Sequence, residues 1–415
     1  MTRITTSRQR VAVTGLGVKT AAGNDLETFW DTLCAGRSMA RRITAFDADD
    51  LMVNFACEVR DFDPQDYLDA KGAKRMDRTA QLGFAAATDA LADAGRHGVP
   101  PERRAVVTGT GHGGTGTQED EFGAVPKRGY GRVSPHYVPM TMANATAGAI
   151  SIRHELKGPS LCICTACASG AQAVGEGARL VREGAADLVV AGGCESAVAP
   201  LTMSSFARMG ALSKRVSDPE RASRPFDADR DGFVMGEGAG FVILENWDHA
   251  VSRGARIYGE LAGYGRNSDA HHITAPSPDG TGARTCMELA LADAGLTADE
   301  IVHINAHGTS TPLNDVTEAR AIVDLFGAQR FPVTSTKSVI GHLIGAAGAV
   351  EAVATLLTMR EGIAHPTANL ERRDPGCDLD VVAERARKIP EGPMLSNSFG
   401  FGGHNATLVF LPAAM

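Results

Sequence analysis

The sequence is poor in aromatic residues and has no long apolar run. Aromatic residues make up 5% of its 415 residues, whereas 47 residues are glycine, so many tight turns and close backbone contacts are expected. No stretch of about 18 apolar residues occurs, and the first residues have no apolar core ending in a small-residue cleavage site. We therefore expect neither a membrane-spanning helix nor a signal peptide, and a cytoplasmic location follows as an expectation.

An excess of positive charge is also missing. The net charge of −8 argues against a surface for nucleic acid or for an anionic membrane. The chain is 43% hydrophobic and 22% charged, which is ordinary for a soluble globular protein. Its length suffices for one large domain or for two fused halves.

Short apolar runs alternate with amphipathic stretches, which is typical of an α/β fold. The pattern predicts strands at residues 10–17, 104–108, 187–192 and 240–244, and helices at 79–94 and 171–183. A second unit is predicted after residue 256, with strands at 256–264 and 300–306 and a helix at 281–294. We therefore predict two packed halves, residues 10–255 and 256–412.

Cys167 is the first candidate for chemistry. It follows a strand-like run and begins a predicted helix in LCICTACASG. Helix N-terminal amides lower a thiol pKa and favour the thiolate, so Cys167 can be a nucleophile without a strong base. A buried structural cysteine is the alternative. A metal site of Cys162, Cys164 and Cys167 is disfavoured, because zinc sites usually add a second, distant pair of ligands.

Two segments with histidine follow in the second half. His307 lies after a predicted strand in HINAHGTSTPLND, where a capped turn explains the threonines but explains the histidine poorly. His303, inside that strand, is expected to be structural. Lys337 and His342 bracket a turn in VTSTKSVIGHLIGAAGAV, and their burial in apolar surroundings requires partners, one of which Glu351 can supply.

Three further segments are rich in glycine or in charge. Residues 397–405, NSFGFGGHN, suit either a tight hairpin or a loop whose amide points at a reacting oxygen. Residues 109–114, GTGHGG, fit a dinucleotide loop poorly, and no helix-like run follows directly, so a dinucleotide site is rejected. The highly charged residues 213–231 are expected to form a largely solvated loop.

The motifs TACASG, NAHGTSTPLND, STKSVIGHLIGAAG and NSFGFGGHN together resemble the β-ketoacyl-ACP synthase family, in its Cys-His-His branch. The resemblance covers nearly the whole chain, from residue 10 to residue 411. It implies a thiolase-like fold of five layers, αβαβα, built from two pseudo-symmetric halves. It also implies a dimer, because residues 132–148 resemble the dimer-contact region of the family.

The resemblance implies a decarboxylating Claisen condensation that uses no metal and no other cofactor. Cys167 would take an acyl chain from the phosphopantetheine of an acyl carrier protein (ACP), and the backbone amides of Cys167 and Phe401 would form the oxyanion hole. A malonyl-ACP would then bind. His307 and His342 would hold its thioester carbonyl as neutral Nε2 donors while carbon dioxide leaves.

Supporting roles are implied by the same resemblance. Lys337 would orient the two histidines electrostatically, with Glu351 as its partner. Thr309 and Thr311 resemble contacts to the pantetheine arm, and Phe401 also resembles a gate between the acyl and malonyl pockets.

The entrance to the site is the least specific part of the resemblance. Asp269, in NSDAHH, lies where a mobile gating loop is expected. A cluster of basic residues, each of which would otherwise be ordinary solvated surface, is expected to receive the acidic carrier protein. This cluster consists of Lys71, Lys74, Arg75 and Arg215.

Two members of the family fit these motifs. One is the β-ketoacyl-ACP synthase II of fatty-acid elongation, a homodimer; the other is the ketosynthase (alpha) subunit of a type II polyketide synthase, paired with a chain-length-factor subunit. The sequence favours the polyketide enzyme, because residues 144–148, NATAG, are similar to such subunits and because polar His112 replaces an apolar residue of the acyl pocket. A non-catalytic partner subunit is disfavoured, since it would usually lack Cys167.

Overall fold

The structure is a computed structural model that describes residues 9–413. Within this range the chain forms fifteen strands and thirteen α-helices. The strands are β1 Val11–Thr20, β2 Arg41–Arg42, β3 Phe55–Ala56, β4 Arg104–Gly109, β5 Ser160–Ile163, β6 Leu188–Glu195, β7 Gly238–Asn246, β8 Gly259–Ser268, β9 His303–Asn305, β10 Pro332–Thr334, β11 Ile363–Ala364, β12 Asp380–Val381, β13 Arg387–Lys388, β14 Met394–Gly400 and β15 His404–Leu411. The helices are α1 Leu26–Ala35, α2 Ala70–Ala73, α3 Arg78–Ala94, α4 Thr115–Arg128, α5 Tyr137–Thr141, α6 Ala145–His154, α7 Ser169–Arg182, α8 Pro200–Arg208, α9 Trp247–Ser252, α10 Thr281–Ala294, α11 Pro312–Phe326, α12 Lys337–Ile340 and α13 Ala347–Glu361.

One strand arrangement occurs twice. The hydrogen-bonded order is β5-β4-β6-β7-β1 in the first half of the chain and β10-β9-β14-β15-β8 in the second. In both sets the first three strands are mutually parallel, and the last two each run antiparallel to their neighbour. Both sets therefore have the same order and the same directions, which confirms the predicted pseudo-symmetry.

The two sets of strands meet along a short seam. Ala12 and Val13 of β1 pair with Glu260 and Gly259 of β8, and β12 extends the second set beside β10. Helix α9 lies between β7 and β8 in the chain. The chain thus crosses from one set of strands to the other close to residues 255 and 256. That the two halves are separate domains divided at these residues stays a prediction.

Helices cover both outer faces of the molecule and fill its middle. Helix α3 packs on β1, β6 and β7, and α10 packs on β8 and β15. Between the two sets of strands, α7 and α13 pack against each other, with α7 on β4 and β6 and α13 on β7 and β14. This is the predicted five-layered αβαβα arrangement. The described residues contain no helix long and apolar enough to cross a membrane.

Strand β1 is longer than predicted, since the predicted strand ended at residue 17 and β1 continues to Thr20. A Cβ on Gly17 would lie 2.1 Å from the carbonyl oxygen of Ala86 in α3, and a Cβ on Gly265 of β8 would lie 2.1 Å from that of Cys286 in α10. These glycines therefore let an outer helix approach its sheet closely, at equivalent places in the two halves.

The charged segment at residues 213–231 is only in part the solvated loop that was expected. Most of residues 214–221 are exposed, whereas Arg224, Asp227 and Arg230 are buried. Arg224 Nε lies 2.9 Å from Asp227 Oδ1, and Arg230 NH1 lies 2.6 Å from Asp374 Oδ2. The expectation was wrong for residues 222–230 because their charges are paired, in part with residues far along the chain, and paired charges can be buried.

Candidate active site

Cys167 lies in the central layer, at the junction between β5 and α7. It occupies a single 3-10 turn, Ala166–Ala168, that leads directly into α7, and the residue is 6% exposed. Ala166 has a φ of 49°, a left-handed conformation that a non-glycine residue rarely adopts. Ser169 secures this turn, since its hydroxyl accepts from the Thr165 amide at 2.9 Å and donates to the Ala166 carbonyl at 2.6 Å.

The acidity predicted for Cys167 is wrong in this structure. Burial raises the pKa of its thiol to about 11, although hydrogen bonding by the Phe401 amide, the charge of Lys337 and the thiol's own backbone amide act in the opposite direction. Loss of hydration destabilises the thiolate more than the helix terminus stabilises it. At rest Cys167 is therefore a thiol with two backbone amides directed at it.

The neighbouring cysteines face other groups. The thiol of Cys162 donates to the Ala143 carbonyl at 3.2 Å, and that of Cys164 donates to the Gly111 carbonyl at 3.4 Å. Among the described residues, no group of three histidine, cysteine, aspartate or glutamate side chains is arranged to hold a metal ion.

His307 and His342 stand side by side, as the sequence predicted. Their ring centroids are 5.4 Å apart and the rings are nearly perpendicular, at 87°. Lys337 Nζ donates to His307 Nδ1 at 3.2 Å, and the Ile344 amide donates to His342 Nδ1 at 3.2 Å. Each Nδ1 is thus an acceptor, so each ring carries its proton on Nε2.

Both imidazoles are held in the neutral form. Burial, followed by the charge of Lys337 and by His342, lowers the pKa of His307 well below its usual range. Burial and the charge of Lys337 lower the pKa of His342 in the same way. At neutral pH the site therefore presents two uncharged Nε2–H donors, the protonation state that the sequence analysis required.

Lys337 and Glu351 form an ion pair beneath the histidines. Both side chains are 1% exposed, and Lys337 Nζ donates to Glu351 Oε1. Burial raises the pKa of the Glu351 carboxyl to about 7, and Lys337 acts against that rise. The partnership predicted for these two residues is present, and it holds Lys337 where it contacts His307.

Glu318, on α11, is a functional candidate that the sequence analysis missed. Its two carboxylate oxygens accept from the backbone amides of His307, at 2.7 Å, and of Gly308, at 2.8 Å. Burial raises its pKa to about 7, which the two amides counteract. A signal was present in the sequence, because Asp315 and Glu318 lie three residues apart, on one face of the helix that follows the His307 motif.

The loop at Phe401 approaches Cys167 closely. A Cβ on Gly400 would lie 3.0 Å from the Cys167 amide nitrogen, so a side chain there would crowd the turn that carries Cys167. Asp269 secures this loop from the other side: its amide donates to the Gly403 carbonyl at 2.9 Å, and its carboxylate accepts from Asn405 at 2.6 Å. Asp269 therefore joins the expected gating loop to the segment that carries Phe401.

One cavity of about 640 Å³ joins these groups. Cys167, His307 and His342 line it, together with all five residues predicted to contact substrate, which are His112, Asp269, Thr309, Thr311 and Phe401. The Thr309 and Thr311 hydroxyls are 2.9 Å apart and hydrogen-bonded. The structure thus brings together Cys167, the histidine pair and the predicted substrate contacts.

A helix follows the GTGHGG segment at residues 109–114, although the sequence predicted none there. This helix, α4, begins at Thr115. The amides of Gly111 and His112 donate to the buried carboxylate of Glu195, at 2.5 and 3.3 Å. Because a carboxylate of the protein occupies these amides, they are not directed at a phosphate.

The four basic residues predicted for carrier-protein docking lie outside the cavity wall that the described residues form. Lys71, Lys74 and Arg75 are exposed, in and directly after α2. Arg215 is half-buried, and its guanidinium donates to the Asp229 carbonyl at 2.8 Å. Arg215 is therefore partly engaged within the protein, whereas the other three remain open to a partner.

Comparison with known proteins agrees with this geometry. The profile of the β-ketoacyl synthase N-terminal domain matches residues 8–250, and that of the C-terminal domain matches residues 258–371. A 3-oxoacyl-[acyl-carrier-protein] synthase 2 of Synechocystis sp. is 48% identical over 407 residues, which are 97% of this chain and 98% of the relative.

Two solved structures extend the comparison. The ishigamide ketosynthase/chain length factor is similar with a TM-score of 0.91 and 38% identity, over 98% of this chain and 100% of that chain. A type II polyketide synthase acyl-carrier protein in complex with its ketosynthase bound to the hexaketide is similar with a TM-score of 0.89 and 30% identity, again over 98% and 100%. From the matching domains and the full-length relatives, we conclude that the chain belongs to the β-ketoacyl synthase family of condensing acyltransferases.

Proposed function

We propose that this protein extends an acyl chain, held as a thioester on Cys167, by decarboxylative Claisen condensation with malonyl-ACP. One observation carries the proposal: a buried thiol with two amides directed at it shares a cavity with two neutral Nε2–H donors. A nucleophile and a carbonyl-holding pair are the two parts that this reaction needs.

Acyl transfer is the first step. The sulfur of Cys167 attacks the thioester carbonyl of acyl-ACP, and the backbone amides of Cys167 and Phe401 stabilise the oxyanion that forms. Each such donor is worth roughly 100- to 1000-fold in rate. The phosphopantetheine sulfur leaves, and the proton of the Cys167 thiol ends on it, so that no permanent thiolate is required.

Decarboxylation and condensation follow. His307 and His342 donate from Nε2 to the thioester carbonyl of malonyl-ACP, and the electrons of the breaking carbon–carbon bond form an enolate as carbon dioxide leaves. Neutral donors suit this step, because they stabilise the developing negative charge without protonating it. The enolate carbon attacks the acyl thioester, the sulfur of Cys167 leaves as a thiolate and takes up a proton from solvent, and a β-ketoacyl-ACP is released. Lys337 and Glu351 position His307, and Thr309 and Thr311 contact the pantetheine arm.

We place this reaction in fatty-acid elongation first. The curated relatives with high identity are named 3-oxoacyl-[acyl-carrier-protein] synthase 2, and they match over nearly their whole length. These names favour the fatty-acid enzyme over the polyketide subunit that the sequence analysis preferred.

A second candidate is a ketosynthase subunit of a type II polyketide synthase. Two observations favour it: the solved structures described above include a ketosynthase/chain length factor and a polyketide ketosynthase with its carrier protein, and the polar His112 lines the cavity. The partners follow from this choice. ACP serves either enzyme, whereas the second chain of the dimer is another copy in fatty-acid synthesis and a chain-length factor in the polyketide case.

The proposal is tested by reconstitution with carrier proteins. Octanoyl-ACP is expected to add an octanoyl group to the wild-type protein, seen by intact mass spectrometry, and malonyl-ACP is then expected to yield 3-oxodecanoyl-ACP. Cys167→Ala should remain unlabelled but still release carbon dioxide from malonyl-ACP. Labelling of Cys167→Ala would contradict the assignment of the nucleophile.

The subunit composition of the active enzyme tests which of the two pathways the protein serves. The protein is purified alone and after co-expression with a ketosynthase-like subunit encoded beside it. A stable homodimer that extends saturated acyl chains supports fatty-acid elongation. Activity that requires the second subunit supports the polyketide candidate and contradicts the first.

A further inference from the structure

His112 is a titratable side chain in the active-site cavity that the proposed mechanism does not use. It lines the same cavity as Cys167, and its side chain is 39% exposed. Its ring lies edge-on to that of Phe206, with centroids 6.3 Å apart, and Phe206 in turn neighbours Phe401 at 6.4 Å. His112 and Phe206 therefore form part of an aromatic surface of the cavity that reaches Phe401, the residue proposed as the gate of the acyl pocket.

A buried carboxylate lies behind this imidazole. Glu195 is fully buried, and its Oε1 is 4.0 Å from His112 Nδ1, which is too long for a direct hydrogen bond but close enough for electrostatic attraction. The carboxylate is held in place by the Thr110 hydroxyl at 3.1 Å and by the Gly345 amide at 3.1 Å. Since Nδ1 faces Glu195, the opposite edge of the ring, Nε2, is left for a ligand.

This arrangement is costly for a pocket that holds only hydrocarbon. A saturated chain gives Nε2 no partner, so its binding would take the imidazole out of water without a hydrogen bond in return. An oxygen on the chain removes that cost. Chain extension by two-carbon units leaves oxygen on odd-numbered carbons, so carbons 3 and 5 of the bound chain are the positions nearest the thioester where an oxygen occurs.

We propose that His112, backed by Glu195, is a specificity-determining subsite that accepts a hydroxyl on carbon 3 or carbon 5 of the acyl chain held by Cys167. The inference rests on the proposed condensation and favours its second candidate, because fatty-acid elongation extends fully reduced chains whereas this subsite suits a chain that keeps an oxygen. In this subsite the protonated Nδ1 of His112 faces Glu195, and Nε2 accepts a hydrogen bond from a hydroxyl on the chain. The subsite places the protein after a reaction that reduces the oxygen of the chain only as far as a hydroxyl.

The test compares acyl chains of equal length on the same carrier protein. Initial rates of Cys167 acylation are measured by intact mass spectrometry with octanoyl-ACP, 3-hydroxyoctanoyl-ACP and 5-hydroxyoctanoyl-ACP. The quantity of interest is the rate ratio of each hydroxylated chain to octanoyl, taken within one protein preparation. Because both rates are measured on one preparation, a loss of folded protein in a variant lowers both equally and leaves their ratio unchanged.

Two variants decide the outcome. His112→Leu keeps a side chain of similar bulk without a hydrogen-bonding group and is expected to lower the ratio for at least one hydroxylated chain by about tenfold. His112→Gln, which retains a donor and an acceptor, is expected to restore much of that ratio. An unchanged ratio for both hydroxylated chains in His112→Leu overturns the subsite while leaving the proposed function intact. Failure of the wild-type protein to accept any of the three chains overturns the proposed function, and the subsite with it.

Discussion

At the scale of single residues, mutation tests the ion pair of Lys337 and Glu351 most directly. Lys337→Met leaves Glu351 buried without its partner and His307 Nδ1 without its donor. Breaking a buried pair in this way typically costs about 3–5 kcal/mol of stability. We expect a loss of that order in urea-induced unfolding, together with a fall of at least about 100-fold in carbon dioxide release, because the tautomer of His307 is no longer enforced.

A double variant separates these two effects. Lys337→Met combined with Glu351→Leu removes both charges, so much of the lost stability should return. Decarboxylation should remain low, since His307 still lacks its donor. Full recovery of both properties would show that Lys337 has no role in positioning the histidine.

The pH dependence of the free energy of unfolding tests the buried, neutral state of His303. It is buried beside Thr334, and burial lowers its pKa to about 3. Below its ordinary pKa of about 6.5 the unfolded chain binds a proton at this histidine and the folded chain does not, so acidification destabilises the fold. Between pH 7.5 and pH 5 this contribution reaches about 2 kcal/mol.

The matched variant is His303→Gln, which keeps a polar side chain but does not titrate. Its free energy of unfolding should fall by about 2 kcal/mol less than that of the wild-type protein over this pH range. The comparison isolates His303, because the other buried groups, including Glu318 and Glu351 with their raised pKa values, titrate in both proteins. Parallel pH profiles would contradict the neutral, buried state of His303.

The candidate functional residues differed in how visible they were in the sequence. Cys167, His307 and His342 were predicted as site residues because each is a reactive side chain in a motif of small residues. Glu318 and Glu195 were missed, since charged residues in amphipathic stretches are usually solvated and only the fold shows that backbone amides surround them. The acidity of Cys167 was misjudged for a related reason: the sequence shows a helix terminus but not the depth of burial.

At the scale of secondary structure, Gly17 sets the distance between β1 and α3. Gly17→Ala places a Cβ 2.1 Å from the Ala86 carbonyl oxygen, so the helix has to move away from the sheet. Overpacking of this kind costs about 1–3 kcal/mol. The control is Gly123→Ala, in the interior of α4, where a Cβ would meet no atom within 4 Å and where alanine should stabilise the helix by roughly 0.5–1 kcal/mol. Opposite shifts in the urea midpoint are expected, and a neutral Gly17→Ala would contradict the close approach.

Long amphipathic elements were predicted well, and their ends less well. The helix predicted at residues 281–294 coincides with α10, and the helix predicted at 79–94 differs from α3 by one residue. The strand predicted at 300–306 forms only at His303–Asn305. Periodicity defines which face of a helix is buried, whereas the length of a parallel strand depends on neighbours that come from distant parts of the chain.

At the scale of the whole molecule, the twofold repeat of strand order was visible in the family resemblance but not in the residues themselves. The two halves share no obvious sequence repeat, yet glycines at equivalent places in β1 and β8 contact α3 and α10 in the same way. What the halves preserve is the size of side chains at close contacts and the order of the strands. Such constraints leave most positions free to diverge, so the repeat becomes evident only in three dimensions.

The first half ends in an edge that suits a partner chain. Strand β5 is the last strand of its set and pairs on one side with β4. Large apolar side chains are exposed on β5 and on the helices packed near it; they are Phe122, Tyr130, Val138, Met142, Ile152 and Leu161. An open strand edge bordered by exposed apolar residues is unfavourable in an isolated chain. We therefore expect this surface to be covered by a second chain, either a copy or a related subunit.

Ile152→Lys tests this expectation. Ile152 is 83% exposed in the single chain, so lysine there should not disturb the fold, but in a dimer it would carry a charge into the apolar contact. Light scattering after size exclusion should show two chains for the wild-type assembly and a single chain for the variant at micromolar concentration. Val251→Lys is the matched control, since Val251 is 56% exposed on α9, away from β5, and should leave the assembly at two chains. A dimer that persists in Ile152→Lys would place the interface on another surface, and the exposed apolar residues around β5 would then require a different partner.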